Sequence, residues 1–519
     1  MKLQLVPLRK DTSMPLRARR LLIPLILSAA LAAIAAAPAA AAPSSPSGTA
    51  KTVHGKATAP RLGGHVRRAW PEKGAHRPKT AIGRWLARQV GPSKPVSCAK
   101  RPAKARGRCV ARHRKGHASA SAATPIAMRA SAARPGAKSL QSEKVALRLS
   151  TGLRISSLQL IRSFDIPTDD PSYERLLNWS WTYDSAVAAT AFASVGLQEQ
   201  AGRLLDQLAA LQRSDGSIEF AFDVLTGESS GTVRAGSVAF DAIAFSDYDS
   251  TFDSTQYLDN ARRAANYLLS LRNEEGLVRG GPDVQWVSTQ HNILTVIALA
   301  TLSQQLEEQG DEGAANAYRE AAEGIAKGVD AQLVVRDGGL EHFRQGVGDE
   351  VVPLDTQALG IVFARFLGDD DLAKQVYEYA QQNFAIDGRS IALSSKKASY
   401  NMTYEAKGPF SGYRPYIGKR APDVLWFEGT AEMRFASSFL GQPTETLDGS
   451  MNSWWDVTRK QGLAPLGADR TITNSPYNEY HVWPTAAAGA WTVLSGAAQD
   501  TDWANPSQAS EQTVLQLLR

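Results

Sequence analysis

The sequence predicts an all-α body made of six helical hairpins arranged as a double ring, and three observations carry that expectation. From Tyr183 onward the apolar residues recur at helical spacing, as in Leu204, Leu205, Leu208 and Leu211. The helices fall into pairs: the connection inside a pair is short, while the one between pairs is long and carries Gly, Trp, Tyr, His and carboxylates. Helices alternating in direction then put every long loop on one end, and long loops in a compact domain usually serve a function. Lastly, the first helix of each pair is the more apolar (AVAATAFASVGL, ILTVIALATL, QALGIVFARFL, AAAGAW), whereas second helices such as AKQVYEYAQQ carry charge on one face. That contrast suits an inner apolar ring inside an outer amphipathic one.

In chain order, a preliminary helix is predicted over Glu143–Phe164. The pairs follow as Tyr183–Val195 with Gln198–Gln212, Ser237–Phe245 with Gln256–Arg272, and His291–Gln309 with Glu312–Gln332. Leu354–Phe366 with Asp371–Phe384, Asp423–Leu440 with Glu445–Gln461, and Pro484–Ala497 with Pro506–Leu518 complete the six. An internal repeat supports the pairing, since AGRLLDQLAALQRSDGSI (201–218) aligns with ARRAANYLLSLRNEEGLV (261–278). Gly216 and Gly276 then fall just past the two helix ends, where a left-handed cap is wanted. Strand propensity is confined to short pieces such as SIEFAFDV.

The N-terminal part reads differently. Residues 1–41 form a targeting segment: Arg17, Arg19 and Arg20 precede an apolar run from Leu21, and Ala39-Ala40-Ala41 offers a cleavage site, with an uncleaved anchor as the alternative. Either arrangement exports the rest of the chain, giving a secreted or envelope-associated protein. Residues 42–140 contain a single acid, Glu72, among many Lys and Arg, so the formal charge of +7 conceals a basic tail on an acidic body. Rich in Pro, Gly, Ser and Ala, the tail is predicted to be a disordered linker that contacts an anionic envelope; for an exported protein no nucleic acid is expected. Cys98 and Cys109 both lie in it, so the body 141–519 has no thiol chemistry.

Polar and aromatic residues collect where the long loops feed the first helices. These are Trp179, Trp181, Tyr183 and Asp184; Arg234; Trp286, Gln290 and His291; Asp355 and Gln357; Trp426 and Glu428; and Glu479, His481 and Trp483. His342 is assigned to the same face. Aromatic faces stack on sugar rings, while amides, imidazoles and carboxylates bond hydroxyls, so a carbohydrate cleft is the plainest chemical reading. No phosphate loop, serine elbow or HExxH motif occurs in the body, so no cofactor or metal is predicted. Asp247, Asp249 and Asp253 lack the EF-hand glycine and read as a solvated loop.

The hairpin series, with WSWTYDSAVAATAFASVG, VSTQHNILTVIALA, PLDTQALGIVFA and VLWFEGTAEMRFA opening successive inner helices, resembles the six-hairpin glycosidase superfamily over residues 170–500. The resemblance implies an (alpha/alpha)6 toroid whose cleft handles polysaccharide or oligosaccharide, with inversion the common outcome. It assigns no catalytic residue. Those come from chemistry: glycoside hydrolysis needs two carboxyl groups, one protonated and one ionised. Glu428 is the first choice of general acid, because Trp426 and Phe427 supply apolar surroundings that raise a carboxyl pKa. Asp184 is its leading partner and Asp355 the next, although either could simply cap a helix. Glu479 suits sugar binding as well as catalysis. Two other functions stay open: a polysaccharide lyase using His291 with Tyr183 or Tyr480, and a glycan-binding toroid without catalysis.

Overall fold

The computed structural model describes residues 81–91, 157–166, 170, 172–389, 410–418, 420–451, 467–472 and 478–496. The helices are α1 (Ala81–Gln89), α2 (Thr182–Ser194), α3 (Gln198–Leu211), α4 (Ala235–Thr251), α5 (Leu258–Ser270), α6 (Thr289–Glu308), α7 (Glu312–Leu333), α8 (Leu354–Phe366), α9 (Asp370–Phe384), α10 (Phe427–Phe439) and α11 (Ala486–Leu494). Residues 445–451 are also helical. The targeting segment, both cysteines and Pro506–Leu518 lie outside the described residues, as does most of Glu445–Gln461.

Six of these helices close a ring. In order α2, α4, α6, α8, α10 and α11, each packs on the next, and α11 returns to α2. Burial follows from that placement: α4 buries every residue from Ala235 to Asp249, whereas α9 buries only Leu372, Ala373, Val376, Ala380 and Phe384. A helix enclosed on all sides must be apolar all round, and one on the outside needs a single apolar stripe. The structure is therefore the predicted (alpha/alpha)6 toroid. Helices α3, α5, α7 and α9 pack outside as the second members of their pairs.

All six inner helices stop in the same way. The second residue past each end has positive φ: Gly196, Gly310, Gly368, Gly441 and Gly496, with Asp253 in the remaining case. After the first four, the next amide bonds back five residues, as in Leu197 N–H to Phe192 O (2.8 Å) and Asp369 N–H to Ala364 O (2.8 Å). This satisfies the last carbonyls and turns the chain at once into the outer helix. Gly216 and Gly276 also have positive φ, but they sit several residues beyond the outer helices, in turns closed to Arg213 O and Asn273 O. The helix-ending glycines are thus a different set from the one the repeat suggested.

Four of the opposite ends are tied down by their fourth residues. Gln357 Oε1 accepts from Phe343 N–H (2.9 Å) while its Nε2 donates to Phe343 O (2.7 Å) and Pro353 O (3.0 Å). Asn292 makes the same three bonds with Val278 N–H (2.7 Å), Val278 O (3.0 Å) and Ser288 O (2.8 Å). Ser185 accepts from Ile161 N–H and Thr430 from Tyr413 N–H, both at 3.1 Å. An incoming loop has backbone groups that a neighbouring strand cannot always satisfy, and a buried side chain takes that place. Short hairpins complete the loop end. The strand within SIEFAFDV, Ala221–Asp223, pairs antiparallel with Trp179–Trp181 and also bridges its own chain neighbour, Phe222 to Ser229.

Two N-terminal expectations change. Residues 157–164, assigned to the preliminary helix, run extended with the two that follow: Leu158 N–H bonds Val224 O, Ser163 N–H bonds Trp179 O and Asp165 N–H bonds Pro484 O. Partners on three sides satisfy this backbone without a helical ladder. Residues 81–89, placed in the disordered tail, form α1, which buries Trp85 and Leu86 and packs against α11. Gln89 Oε1 accepts from Arg162 Nη2 at 2.6 Å, and Val90 bridges Ile161. The described part of the folded unit accordingly includes Ala81–Gln89. A local apolar stripe, Trp85-Leu86, outweighed the basic composition around it.

Candidate active site

Ring closure brings the first turns of α2 and α10 together with Trp491 of α11 around one phenol. Tyr183 is the second residue of α2, and its Oη accepts from Trp491 Nε1 of α11 at 2.8 Å. The same hydroxyl donates to Glu428 Oε1 of α10 at 3.4 Å. Phe240 of α4 packs edge-on against the rings of both Tyr183 (5.3 Å) and Trp491 (6.2 Å), and Phe435 meets Trp491 at 5.6 Å. These aromatic side chains floor the inner ring.

Carboxyl groups crowd above that floor. Asp184 and Asp355 both lie close enough to influence Glu428: burial, then their charges, push it well above the usual carboxyl range, while the Tyr183 hydroxyl opposes the shift. Burial raises Asp184 to about 7, against a hydrogen bond from Ser163. Asp355 is raised by burial to about 6, with the Thr356 amide donating to its Oδ1 at 2.7 Å and holding the shift down. Few carboxylates in a low-dielectric pocket can ionise together. Asp355 is therefore the group that gives up its proton first and Glu428 one that keeps it. Tyr183, Asp355 and Glu428 are half-buried, whereas Asp184 is 8% exposed and lies deeper.

One member escaped the sequence reading. Glu432, one helical turn past Glu428 on α10, is 3% exposed and its Oε2 has no hydrogen-bond partner. Burial, then Glu428 and Asp355, raise its carboxyl far above the ordinary value, with Tyr183 opposing the shift. The spacing of four residues in EGTAE was the available signal. Trp491 was read as part of an apolar inner helix, and nothing local marks its indole N–H as aimed at Tyr183.

The remaining candidates separate into three groups. Trp286 and His291 stay together at 5.3 Å, with the Arg234 guanidinium 6.0 Å from the Trp286 ring and bonded to Asp283 at 2.8 Å. Gly236 and Gly280 admit them: a Cβ there would lie 2.4 Å from the His291 ring and 2.2 Å from the Trp286 ring. Burial and then Arg234 lower His291 to about 3, so its imidazole is neutral, and Gln290 beside it is half-buried. Trp426 meets Tyr480 edge-on at 6.4 Å, and Tyr480 faces Asp355 and Glu428. Glu479 Oε2 and His481 Nε2 pair at 3.1 Å, with the imidazole stacked on Trp483 at 3.7 Å.

Several candidates are structural instead. Gln357 is fully buried with its amide committed to loop backbone, leaving nothing for a sugar hydroxyl. Trp483 is 1% exposed, donates to Asp170 Oδ2 at 2.8 Å and packs with Ile166, Tyr173 and Leu176. Trp179 and Trp181 lie against that same cluster, with Trp181 edge-on to Phe164 and Phe220. His342 stacks on Tyr379 of outer helix α9 at 3.9 Å. Asp249 accepts from Ser254 Oγ and Tyr257 N–H, both at 2.8 Å, and Asp247 is buried in α4 rather than solvated. Among the described residues no group of three or more His, Cys, Asp or Glu could hold a metal ion.

No protein-family model matches the chain, and no curated protein matches it. Solved structures similar to it include a glycosidase in complex with glucose, at TM-score 0.46 and 13% identity over 67% of this chain and 94% of that one. A bacterial glucoamylase complexed with acarbose is similar at TM-score 0.46 and 15% identity, over 65% of this chain and 51% of that one. A rhamnosidase from Klebsiella oxytoca with rhamnose bound is similar at TM-score 0.42 and 14% identity, over 64% of each. Each is a distant likeness, and the ring of hairpins rests on its own packing.

Proposed function

We propose that the protein is an exported glycoside hydrolase acting on a polysaccharide or oligosaccharide at the loop end of the ring. The observation that carries this reading is the pair of half-buried neighbouring carboxyl groups Asp355 and Glu428, pushed to different proton affinities, with Tyr183 on Glu428. Glu428 holds a proton at neutral pH and gives it to the glycosidic oxygen as the bond to the anomeric carbon breaks. Asp355, which ionises first, takes the proton of the water that attacks that carbon, or attacks it directly. Asp184, deeper and raised to about 7, keeps the local charge low. Trp286, His291, Gln290 and Trp426, with the Glu479–His481 pair, supply stacking faces and hydroxyl partners for the sugar.

A lyase is less well supported. Its base would be Tyr183, Tyr480 or His291; burial together with nearby carboxylates pushes both phenols well above their usual range, and burial with Arg234 lowers the imidazole to about 3, leaving it a weak base. Export rests on the Arg-flanked apolar segment at the N-terminus; among the described residues no helix is long and apolar enough to cross a membrane. The test is mass spectrometry of products from the full chain incubated with neutral and uronate-containing glycans. Fragments that have gained water, and that vanish with Glu428→Gln, support the reading. Unsaturated fragments would sink it in favour of a lyase.

A further inference from the structure

An outer helix must hand the chain across to the start of the next inner helix, and the handover is built alike at three places. Just past α5, α7 and α9, residues Arg272, Val334 and Ala385 pair antiparallel with Val278, Phe343 and Tyr413. Those three partners donate their amides to Asn292, Gln357 and Thr430, the fourth residues of α6, α8 and α10. An arginine follows each partner, and its amide returns to the end of the outer helix. Arg279 bonds Leu271 O (3.1 Å), Arg344 bonds Leu333 O (3.1 Å) and Arg414 bonds Phe384 O (3.0 Å).

The same handover occurs a fourth time, with α1 in the place of the outer helix. Val90 pairs antiparallel with Ile161, Ile161 N–H donates to Ser185 of α2, and Arg162 N–H returns to Gln89 O at 2.9 Å. Gln89 is the last residue of α1, as Leu333 and Phe384 are of α7 and α9. Helix α1 also packs on α11, as α9 packs on α8. At nine residues it is too short to hold its helical form alone, so it depends on the packing that buries Trp85 and Leu86.

We infer that α1 is the outer helix of the pair that closes the ring, the docked partner of α11, and that its docking holds α2 and α11 together at the site. The place predicted for Pro506–Leu518 is thereby filled from the other end of the chain. The link to the site runs through the strand that α1 grips. Ser163 Oγ accepts from Trp181 N–H at 2.8 Å, and Ser163 O accepts from Ala486 N–H at 2.9 Å. One residue thus ties the approach to α2 to the first residue of α11. Those helices carry Tyr183 and Trp491, whose contact at 2.8 Å depends on their spacing. Arg162 is buried and spends Nη2 on Gln89 Oε1 at 2.6 Å, which fastens the strand to α1 by side chain as well as backbone. None of this uses the assignment of Glu428.

Two measurements on the full chain need no substrate. Val90 and Ile161 form a non-hydrogen-bonded antiparallel pair, with Cα atoms about 4.5 Å apart, a spacing a disulfide can bridge. In a chain carrying Cys98→Ser and Cys109→Ser, Val90→Cys with Ile161→Cys should form a disulfide within one chain. No disulfide, or one that joins two chains, overturns the inference. Gly91 N–H bonds Leu160 O at 2.8 Å, so the chain on either side of residues 92–156 meets at one place. Cutting at a protease site inserted within 92–156 should therefore leave both pieces eluting together, and Trp85→Ser with Leu86→Ser should let them part. Wild-type pieces that separate overturn the inference too. In the uncut chain, Trp85→Ser with Leu86→Ser should lower glycan turnover at least ten-fold, at a temperature where circular dichroism shows the helices intact. Unchanged turnover would detach α1 from the site. If no glycan is cleaved at all, the hydrolase reading fails and the disulfide and elution results still decide the place of α1.

Discussion

The two ends of the inner helices solve different problems, and the contrast separates structure from chemistry. At the C-terminal end one solution is used six times: a left-handed residue two past the helix, glycine in five cases and Asp253 in the sixth. At the N-terminal end only the fourth residue is repetitive, with Ser185, Asn292, Gln357 and Thr430 each binding an incoming loop. The second residue differs at every helix: Tyr183, Gly236, Gln290, Asp355, Glu428 and Ala487. A backbone requirement recurs with the repeat because the geometry recurs. A reaction has one centre, so its groups are each used once.

That contrast can be broken most sharply at the second position. Glu428→Gln should reduce turnover about 10³-fold with stability unharmed, which steady-state kinetics and thermal unfolding together would show. Near-normal kcat would remove this end's claim to catalysis. Next comes Gln357→Leu at a fourth position, which orphans three buried backbone groups; a loss of about 2–4 kcal/mol in denaturant unfolding is expected. A variant of unchanged stability that had lost only sugar affinity would return Gln357 to the binding residues.

Asp184 sharpens the comparison through pH. Its folded carboxyl keeps a proton up to about 7, above the ordinary 3.8. Between those values the folded chain binds the extra proton, so this contribution to stability is complete below about pH 4 and is lost as pH rises through 7. Asp184→Asn should therefore stabilise the fold at pH 8, on the order of 2 kcal/mol or more, and give no gain at pH 4. A gain independent of pH would contradict that assignment. The smallest effects belong to the C-terminal ends. Gly368→Ala, at φ 75° with open space around it, should cost about 1 kcal/mol, and Asp253→Gly should add somewhat less than that.

Some of this was legible in the chain. Inner helix α8 has the predicted bounds, because PLDTQALGIVFARFLG carries both its extended start and its glycine stop. Glu428 could be singled out because two aromatic residues precede it in sequence and remain its neighbours on the first turn. The misreadings are equally specific. Gln357 and Trp483 look like sugar ligands when only residue type is considered, yet a backbone carbonyl and Asp170 had already taken them. Glu432 was hidden because an acid inside an inner helix reads as an ordinary polar interruption, and Trp491 because indole reads as core. Helix α1 was obscured by the basic residues on either side of it.

The sequence by itself determined the helical pairs, their inner and outer roles, and the end of the ring that bears the polar residues. Each follows from a pattern within a few turns of chain, where the 3.6-residue period links burial directly to residue order. Only the tertiary structure decided which side chains share a point. Tyr183, Asp355, Glu428, Glu432 and Trp491 come from four helices spread over most of the body, and they meet because α11 closes back on α2. Closure brings together residues that no local pattern relates, and the protonation of each carboxyl depends on the neighbours that closure supplies.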